Sequence, residues 1–140
     1  MQLAQLNYAR AKYSLESKQL SEFVENLEPI NAIAEKSPGF IWRLLDTNLD
    51  GVNEAEYLKD NTIFTVSVWQ DLDSLKNFMF KTHHLAFVKR KSEWFEKINE
   101  ANYVLWWVED GHIPTIAEGI ERLEYLRTNG ESDYAFGFSR

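Results

Sequence analysis

Three histidines and no cysteine bound the chemistry open to this chain. Thiolate nucleophiles, disulfides and cysteine-held zinc or iron–sulfur clusters are excluded. What remains is imidazole, carboxylate, amide and guanidinium chemistry. His84 has the most informative spacing, because on a helix it shares a stripe with Phe87, Val88, Lys91 and Phe95. An imidazole on such an apolar face has its pKa set by burial and neighbours, which suits a general base near neutral pH or a ligand to haem iron. Local hydrogen bonding where two helical pieces join accounts for the same residue without chemistry. His83 points about 100° away on a helix, so the pair cannot chelate from one face. Lys91 has a stem long enough to carry its charge to solvent.

Two further polar residues stand among apolar ones. Asn31 lies in the stripe between Leu27 and Ala34, where it can aim an amide into a pocket between helix and sheet or repair the helix beside Pro29. Arg43 alternates with Ile41 and Leu45, and its permanent, bidentate charge suits a carboxylate or phenolate, or an ion pair across a subunit boundary. Trp42, Trp69, Trp94 and Trp107 can wall a site for a flat ligand, although core and interface packing also consume such rings. Asp46-Thr47-Asn48-Leu49-Asp50-Gly51 matches the opening of a calcium-binding loop. The match fails at Asn53 and at Tyr57, where the closing bidentate Glu belongs, so a turn built on Asp-Gly is the better reading. Gly111-His112-Ile113-Pro114 precedes a helix that Thr115 and Glu118 can cap, with His112 in the intervening loop. No phosphate loop, GxSxG, HExxH or dinucleotide fingerprint is present.

The elements that must position these residues follow from periodicity. Gln2–Tyr8 alternates as a strand. Leu20, Phe23, Val24, Leu27, Ile30 and Ala34 form one helical stripe, interrupted at Pro29 and stopped by Ser37-Pro38-Gly39. Phe40–Asp46 and Thr62–Trp69 read as strands joined by a long polar loop. A helix carries Leu75, Phe78 and Met79, and a second stripe runs from Phe87 to Ile98. Asn102–Glu109 is the fourth strand, and Pro114–Thr128 the last helix, closed by Asn129-Gly130. The order is β-α-β-β-α-β with an added C-terminal helix: an α+β, ferredoxin-like protomer filling residues 1–140 as one domain.

The strands are apolar on both sides. Val104, Trp106 and Val108 alternate with Tyr103, Leu105 and Trp107, and Phe40, Trp42 and Leu44 with Ile41, Arg43 and Leu45. Helices cover one side of such a sheet, and the other would expose more contiguous apolar surface than a soluble monomer tolerates. Face-to-face pairing into a homodimer is the simplest cover. The aromatic content of 14%, with five Trp and nine Phe, exceeds what a small core needs and fits that reading. A net charge of −7 opposes nucleic-acid binding, and no stretch reaches the ~18–20 apolar residues of a membrane span. With no basic-then-apolar leader at the start and no cysteine, the expected compartment is the cytoplasm.

Ser37-Pro38-Gly39-Phe40-Ile41-Trp42-Arg43-Leu44, Val68-Trp69, His84 with Lys89-Arg90 and Glu93-Trp94-Phe95, Leu105-Trp106-Trp107-Val108 and Gly111-His112-Ile113-Pro114 together carry a resemblance over nearly the whole chain. They resemble a mainly bacterial domain of unknown function in the dimeric α/β-barrel superfamily, which also holds antibiotic-biosynthesis-type monooxygenases. That resemblance implies a ferredoxin-like protomer in a dimeric α/β barrel, and a superfamily of cofactor-free oxygenases, haem enzymes and proteins of unknown role. The expectation is a homodimer binding a small apolar or aromatic molecule between sheet and helices. As an enzyme it would run monooxygenase-like chemistry without a cofactor, with His84 as base, Asn31 and Arg43 as polar anchors and Trp42, Trp94 and Trp107 as walls. The alternatives are haem binding through His84 and a non-catalytic binding or structural dimer.

Overall fold

The computed structural model describes residues 1–81 and 89–138. In chain order the elements are β1 (Gln2–Arg10), a 3-10 turn (Lys18–Leu20), α1 (Ser21–Glu25), α2 (Leu27–Lys36) and β2 (Phe40–Arg43). They continue with a second 3-10 turn (Ala55–Leu58), β3 (Thr62–Trp69), α3 (Leu72–Lys81), α4 (Lys91–Trp94), β4 (Tyr103–Val108) and α5 (Ile116–Asn129). The strands form one antiparallel sheet in the order β2-β3-β1-β4, the ferredoxin-like arrangement read from the sequence. None of the described helices is long and apolar enough to cross a membrane.

Local deviations have local causes. The first helical stripe breaks at Asn26 instead of Pro29. Pro29 then falls in the first turn of α2, where its missing N–H has no intrahelical partner to lose. The second stripe does not run to Ile98. It stops at Trp94, and Phe95 turns extended to bridge Ala11, with Lys12 N–H donating to Trp94 O at 2.8 Å and Glu96 N–H to Arg10 O at 2.8 Å. Backbone pairing with the end of β1 satisfies these groups in place of another helical turn. Gly39 enters β2 at φ +85°, and a Cβ there would stand 2.1 Å from Ser74 Oγ, so only glycine makes this approach.

The register sorts every strand residue onto one of two faces. On the face under α2 and α3, here the helical face, Trp107, Leu3, Trp69 and Phe40 stand side by side. Leu105, Gln5, Ser67 and Arg43 form the next row, and Tyr103, Asn7 and Thr65 the next. On the far face Trp106, Ala4, Val68 and Trp42 form one row, and Val104, Leu6 and Val66 the next. A bulge between Phe40 and Trp42 puts these two residues on opposite faces, where strict alternation would put them on one.

The far face is apolar along its central rows and the helical face only in its first, so the expectation of two apolar faces is corrected by Gln5, Ser67, Arg43, Asn7 and Thr65, and the far face is already covered by the chain itself. α5 lays Ile116, Ile120 and Leu123, at i, i+4, i+7 spacing, over Ala4, Leu6, Val104 and Trp106, and the β2–β3 segment adds Val52 and Tyr57. Each of the three α5 side chains contributes roughly 1.5–3 kcal/mol by leaving water. The exposed face that argued for a second copy is therefore absent, and that ground for a face-to-face homodimer is replaced by an internal one. The last described residues also contribute. Phe136 pairs with Leu105 through two backbone hydrogen bonds of 2.8 and 3.0 Å and extends the sheet past β4.

Candidate functional site

The helical face changes character along its length. In its first row the rings fill the space between sheet and helices: Phe40 meets Trp69 edge-on at 5.4 Å, Trp69 stacks on Phe78 at 5.4 Å, and Trp107 lies 6.1 Å from Phe136. The second row is polar. Ser67 Oγ accepts from Gln5 Nε2 at 2.8 Å and from Trp69 Nε1 at 2.9 Å, which leaves the buried hydroxyl its own proton to donate. Arg43 beside it is poorly satisfied. Its Nη2 stands 3.7 Å from Glu35 Oε1, its Nη1 reaches Leu44 O only at 3.5 Å, and its buried Nε donates to nothing among the described residues. In the third row Thr65 Oγ1 donates to Asn7 Oδ1 at 2.8 Å. Thr65 is exposed although β3 is an interior strand, so the face is open there and its floor is amide and hydroxyl.

The residues singled out by sequence divide accordingly. Arg43 and Trp107 share the helical face, and Asn31 is half-buried on α2, whose Ile30, Ile33 and Ala34 pack on the same side. Trp42 lies on the opposite face in the other core. Trp94 is buried at the end of β1 with Ala11, Leu20, Phe23 and Phe95, under the Arg90 guanidinium at 4.7 Å. His84 lies outside the described residues, as do His83, Phe87 and Val88, and the base and haem assignments lie there with it. An aromatic-lined pocket is thus replaced, among the described residues, by a filled aromatic row next to an open polar one. One groove among them, about 630 Å³, is at the end of the sheet against Gln2, Phe40, Gln70, Asp71 and Asp110.

A second constellation has no counterpart in the sequence reading. On the far face the Tyr8 hydroxyl donates to the Glu56 carboxylate and the Tyr57 hydroxyl to that of Glu124. Arg127, with a side chain only 7% exposed, joins the two pairs. Its Nη2 donates to Tyr8 Oη at 2.8 Å, its Nη1 to Tyr57 Oη at 3.1 Å and Glu56 Oε2 at 3.3 Å, and its Nε to Ala101 O at 2.8 Å. Burial, reinforced by the Glu124 carboxylate, pushes the Tyr57 phenol far up; burial and Glu56 raise that of Tyr8. Burial opposes ionisation of Glu56, but hydrogen bonds from Tyr8 and Arg127 outweigh it and hold the carboxyl below its ordinary range. Two neutral phenols and one buried guanidinium between partly exposed carboxylates make a lock between α5, β1 and the β2–β3 segment. Sequence separations of up to 119 residues left no local signal for it.

The remaining motifs are structural. Thr115 Oγ1 accepts from Glu118 N–H at 3.1 Å as the helix cap. The Glu118 carboxylate accepts from Trp106 Nε1 at 2.8 Å and pairs with His112 Nε2 at 2.7 Å instead of returning to the cap amide. In the calcium-like segment Asn48 Oδ1 accepts from Asp50 N–H at 2.9 Å, an Asx turn. No three His, Asp or Glu side chains among the described residues converge where a metal could sit.

A family profile described as a domain of unknown function, DUF3291, matches residues 2–140. No curated protein matches the chain. Among solved structures, SnoaB, a cofactor-independent oxygenase from Streptomyces nogalater, is similar at 16% identity and a TM-score of 0.53, over 78% of this chain and 94% of that one. PA3566 from Pseudomonas aeruginosa is similar at 12% identity and 0.52, over 77% and 94%. At such identities the likeness is one of fold.

Proposed function

The chain belongs to this domain-of-unknown-function family, and we propose that it binds a small aromatic or apolar molecule on the helical face and oxygenates it without a cofactor. The observation that carries the reading is the step across that face from packed rings to an open polar floor of Gln5, Asn7 and Thr65, flanked by Arg43, whose Nε has no partner among the described residues. A flat ligand would lie against the ring row and turn its oxygen toward the floor.

Oxygenation without a cofactor takes its electrons from the substrate. An activated methylene group loses a proton to a base, and dioxygen oxidises the resulting carbanion. One oxygen atom stays on the carbon as a carbonyl and the other leaves as water with both methylene hydrogens, so atoms and electrons balance. Arg43 and the Gln5 and Asn7 amides would stabilise the enolate or phenolate oxygen formed on deprotonation. Asn31 on α2 would anchor the ligand from above, Trp107 would bound it, and His84 is the base that the sequence offers. Trp42 and Trp94 have no part in this reading, since each packs elsewhere. The activity of SnoaB supports the reaction class at the level of fold.

Thr65→Trp tests the site. Because Thr65 is exposed, the new ring is expected to leave the melting temperature nearly unchanged while filling the floor. Ligand carried by the native protein, read by native mass spectrometry, should fall at least tenfold; full retention would place the ligand elsewhere. The filled ring row favours a second reading, binding without turnover. Dioxygen uptake with the retained ligand separates the two.

A further inference from the structure

The polar row of the helical face holds more donors than acceptors, and the shortage has a definite place. Ser67 Oγ has two lone pairs, and Gln5 Nε2 and Trp69 Nε1 take them at 2.8 and 2.9 Å. The indole nitrogen can only donate, which fixes the hydroxyl as acceptor at that contact. Its own proton finds no acceptor among the described residues, although Ser67 is only 8% exposed.

Directly across the β2–β3 pair, Arg43 repeats the shortage. Its Nε is buried without an acceptor among the described residues, and its Nη2 stands 3.7 Å from Glu35 Oε1, beyond a good hydrogen bond. Nε and Nη2 form one edge of the guanidinium, a fork that matches the two oxygens of a carboxylate. Glu35, exposed on α2, approaches this edge without closing on it. Outside the described residues, positions 82–88 and 139–140 contain no Asp or Glu that could supply the missing acceptor.

We infer that the molecule bound on this face is a carboxylic acid, held as its carboxylate by Arg43 Nε and Nη2 and by the Ser67 hydroxyl, with Glu35 competing for the same guanidinium edge. The inference rests on the proposed binding face and names the class of ligand that face takes. Three converging donors suit a carboxylate, whose two oxygens offer about four lone-pair positions and a charge to offset that of Arg43. A phosphate fits less well, because Leu105, Gln5 and Ser67 share the row with Arg43 and none of them is a second cation. The acid group is present before any reaction. It is therefore distinct from the oxygen formed on deprotonation, for which Arg43 Nη1 and the Gln5 and Asn7 amides remain.

The test uses the full chain and two flat probes of one shape, 2-naphthoate and 2-naphthamide, which differ in the charge of the head group. Each is titrated into labelled protein and followed by the backbone amide and arginine Nε–H signals. Naphthoate is expected to bind at least tenfold more tightly than naphthamide, moving the Arg43 Nε–H and Ser67 signals. Arg43→Met should abolish that difference and leave naphthamide unchanged. Glu35→Gln should tighten naphthoate about two- to fivefold, the worth of a partly exposed ion pair, and leave naphthamide unchanged. Equal affinity for the two probes, with shifts on the helical face, would keep the binding face and overturn the acid. If neither probe moves a helical-face signal, the face and the acid fall together. Should Arg43→Met not fold, Glu35→Gln decides, because its site is exposed: no gain for naphthoate overturns the inference.

Discussion

Replacing Arg127 with methionine is expected to destabilise the fold by about 1.5–3 kcal/mol, the range for hydrogen bonds to a charged group, since the guanidinium is buried while its carboxylate partners are partly open to water. The methionine fills much of the space but leaves Glu56 facing Tyr8 and Glu124 facing Tyr57 with no cation, and removes the donor to Ala101 O. Urea unfolding followed by tryptophan fluorescence measures it, and a loss below about 1 kcal/mol would show that the cluster is solvated and of surface strength. The pH dependence carries a sign on each side. The folded-state pKa of Glu56 is depressed, so its contribution is present above the ordinary carboxylate range and is lost as pH falls through the folded value. Those of Tyr8 and Tyr57 are raised, so their contribution is complete below the ordinary phenol value of 10.0 and is lost as pH rises through the folded values. Stability should decline in acid and again in strong alkali, and Arg127→Met should flatten the acid limb, because Glu56 loses the guanidinium that depresses it.

His84→Ala is expected to lower turnover by about 10²- to 10⁴-fold, the range for a positioned general base, while leaving the melting temperature and ligand retention close to those of the parent. The assignment rests on helical spacing with Phe87, Val88, Lys91 and Phe95. Dioxygen uptake with the ligand that native mass spectrometry identifies is the measurement. Parent-like uptake would remove the base from His84, whereas loss of ligand together with uptake would make it a binding residue.

Two-residue alternation made the apolar residues on both sides of β4 legible, because period two survives wherever both sides are buried. It reports that a face is covered and is silent about what covers it. The cover was nevertheless in the sequence, as the Ile116, Ile120, Leu123 stripe of the last helix, whose amphipathic face needs a partner of its own. The grouping of Trp42 with Phe40 failed for a different reason: a single bulge reverses side-chain direction, and Phe-Ile-Trp carries no residue that marks one. In the candidate site, Arg43 stood out as a cation among apolar neighbours. Gln5, Asn7 and Thr65 did not, because their significance lies in being adjacent across strands 58 and 62 residues apart in the chain.

The pairing of Phe136 with Leu105 has a consequence for how the molecule behaves when crowded. A bare outer strand is a template on which further chains can add by backbone pairing, the first step toward ordered aggregates. Here the segment after α5 supplies the next backbone to β4, so part of that edge is spent within the molecule. The opposite edge, β2, is four residues long, bulged and ends at Arg43, three features that each discourage growth. Removal of the chain beyond Gly130 would free the long, tryptophan-bearing edge of β4, and the cost would appear as a shortened lag before fibrillar precipitation under agitation.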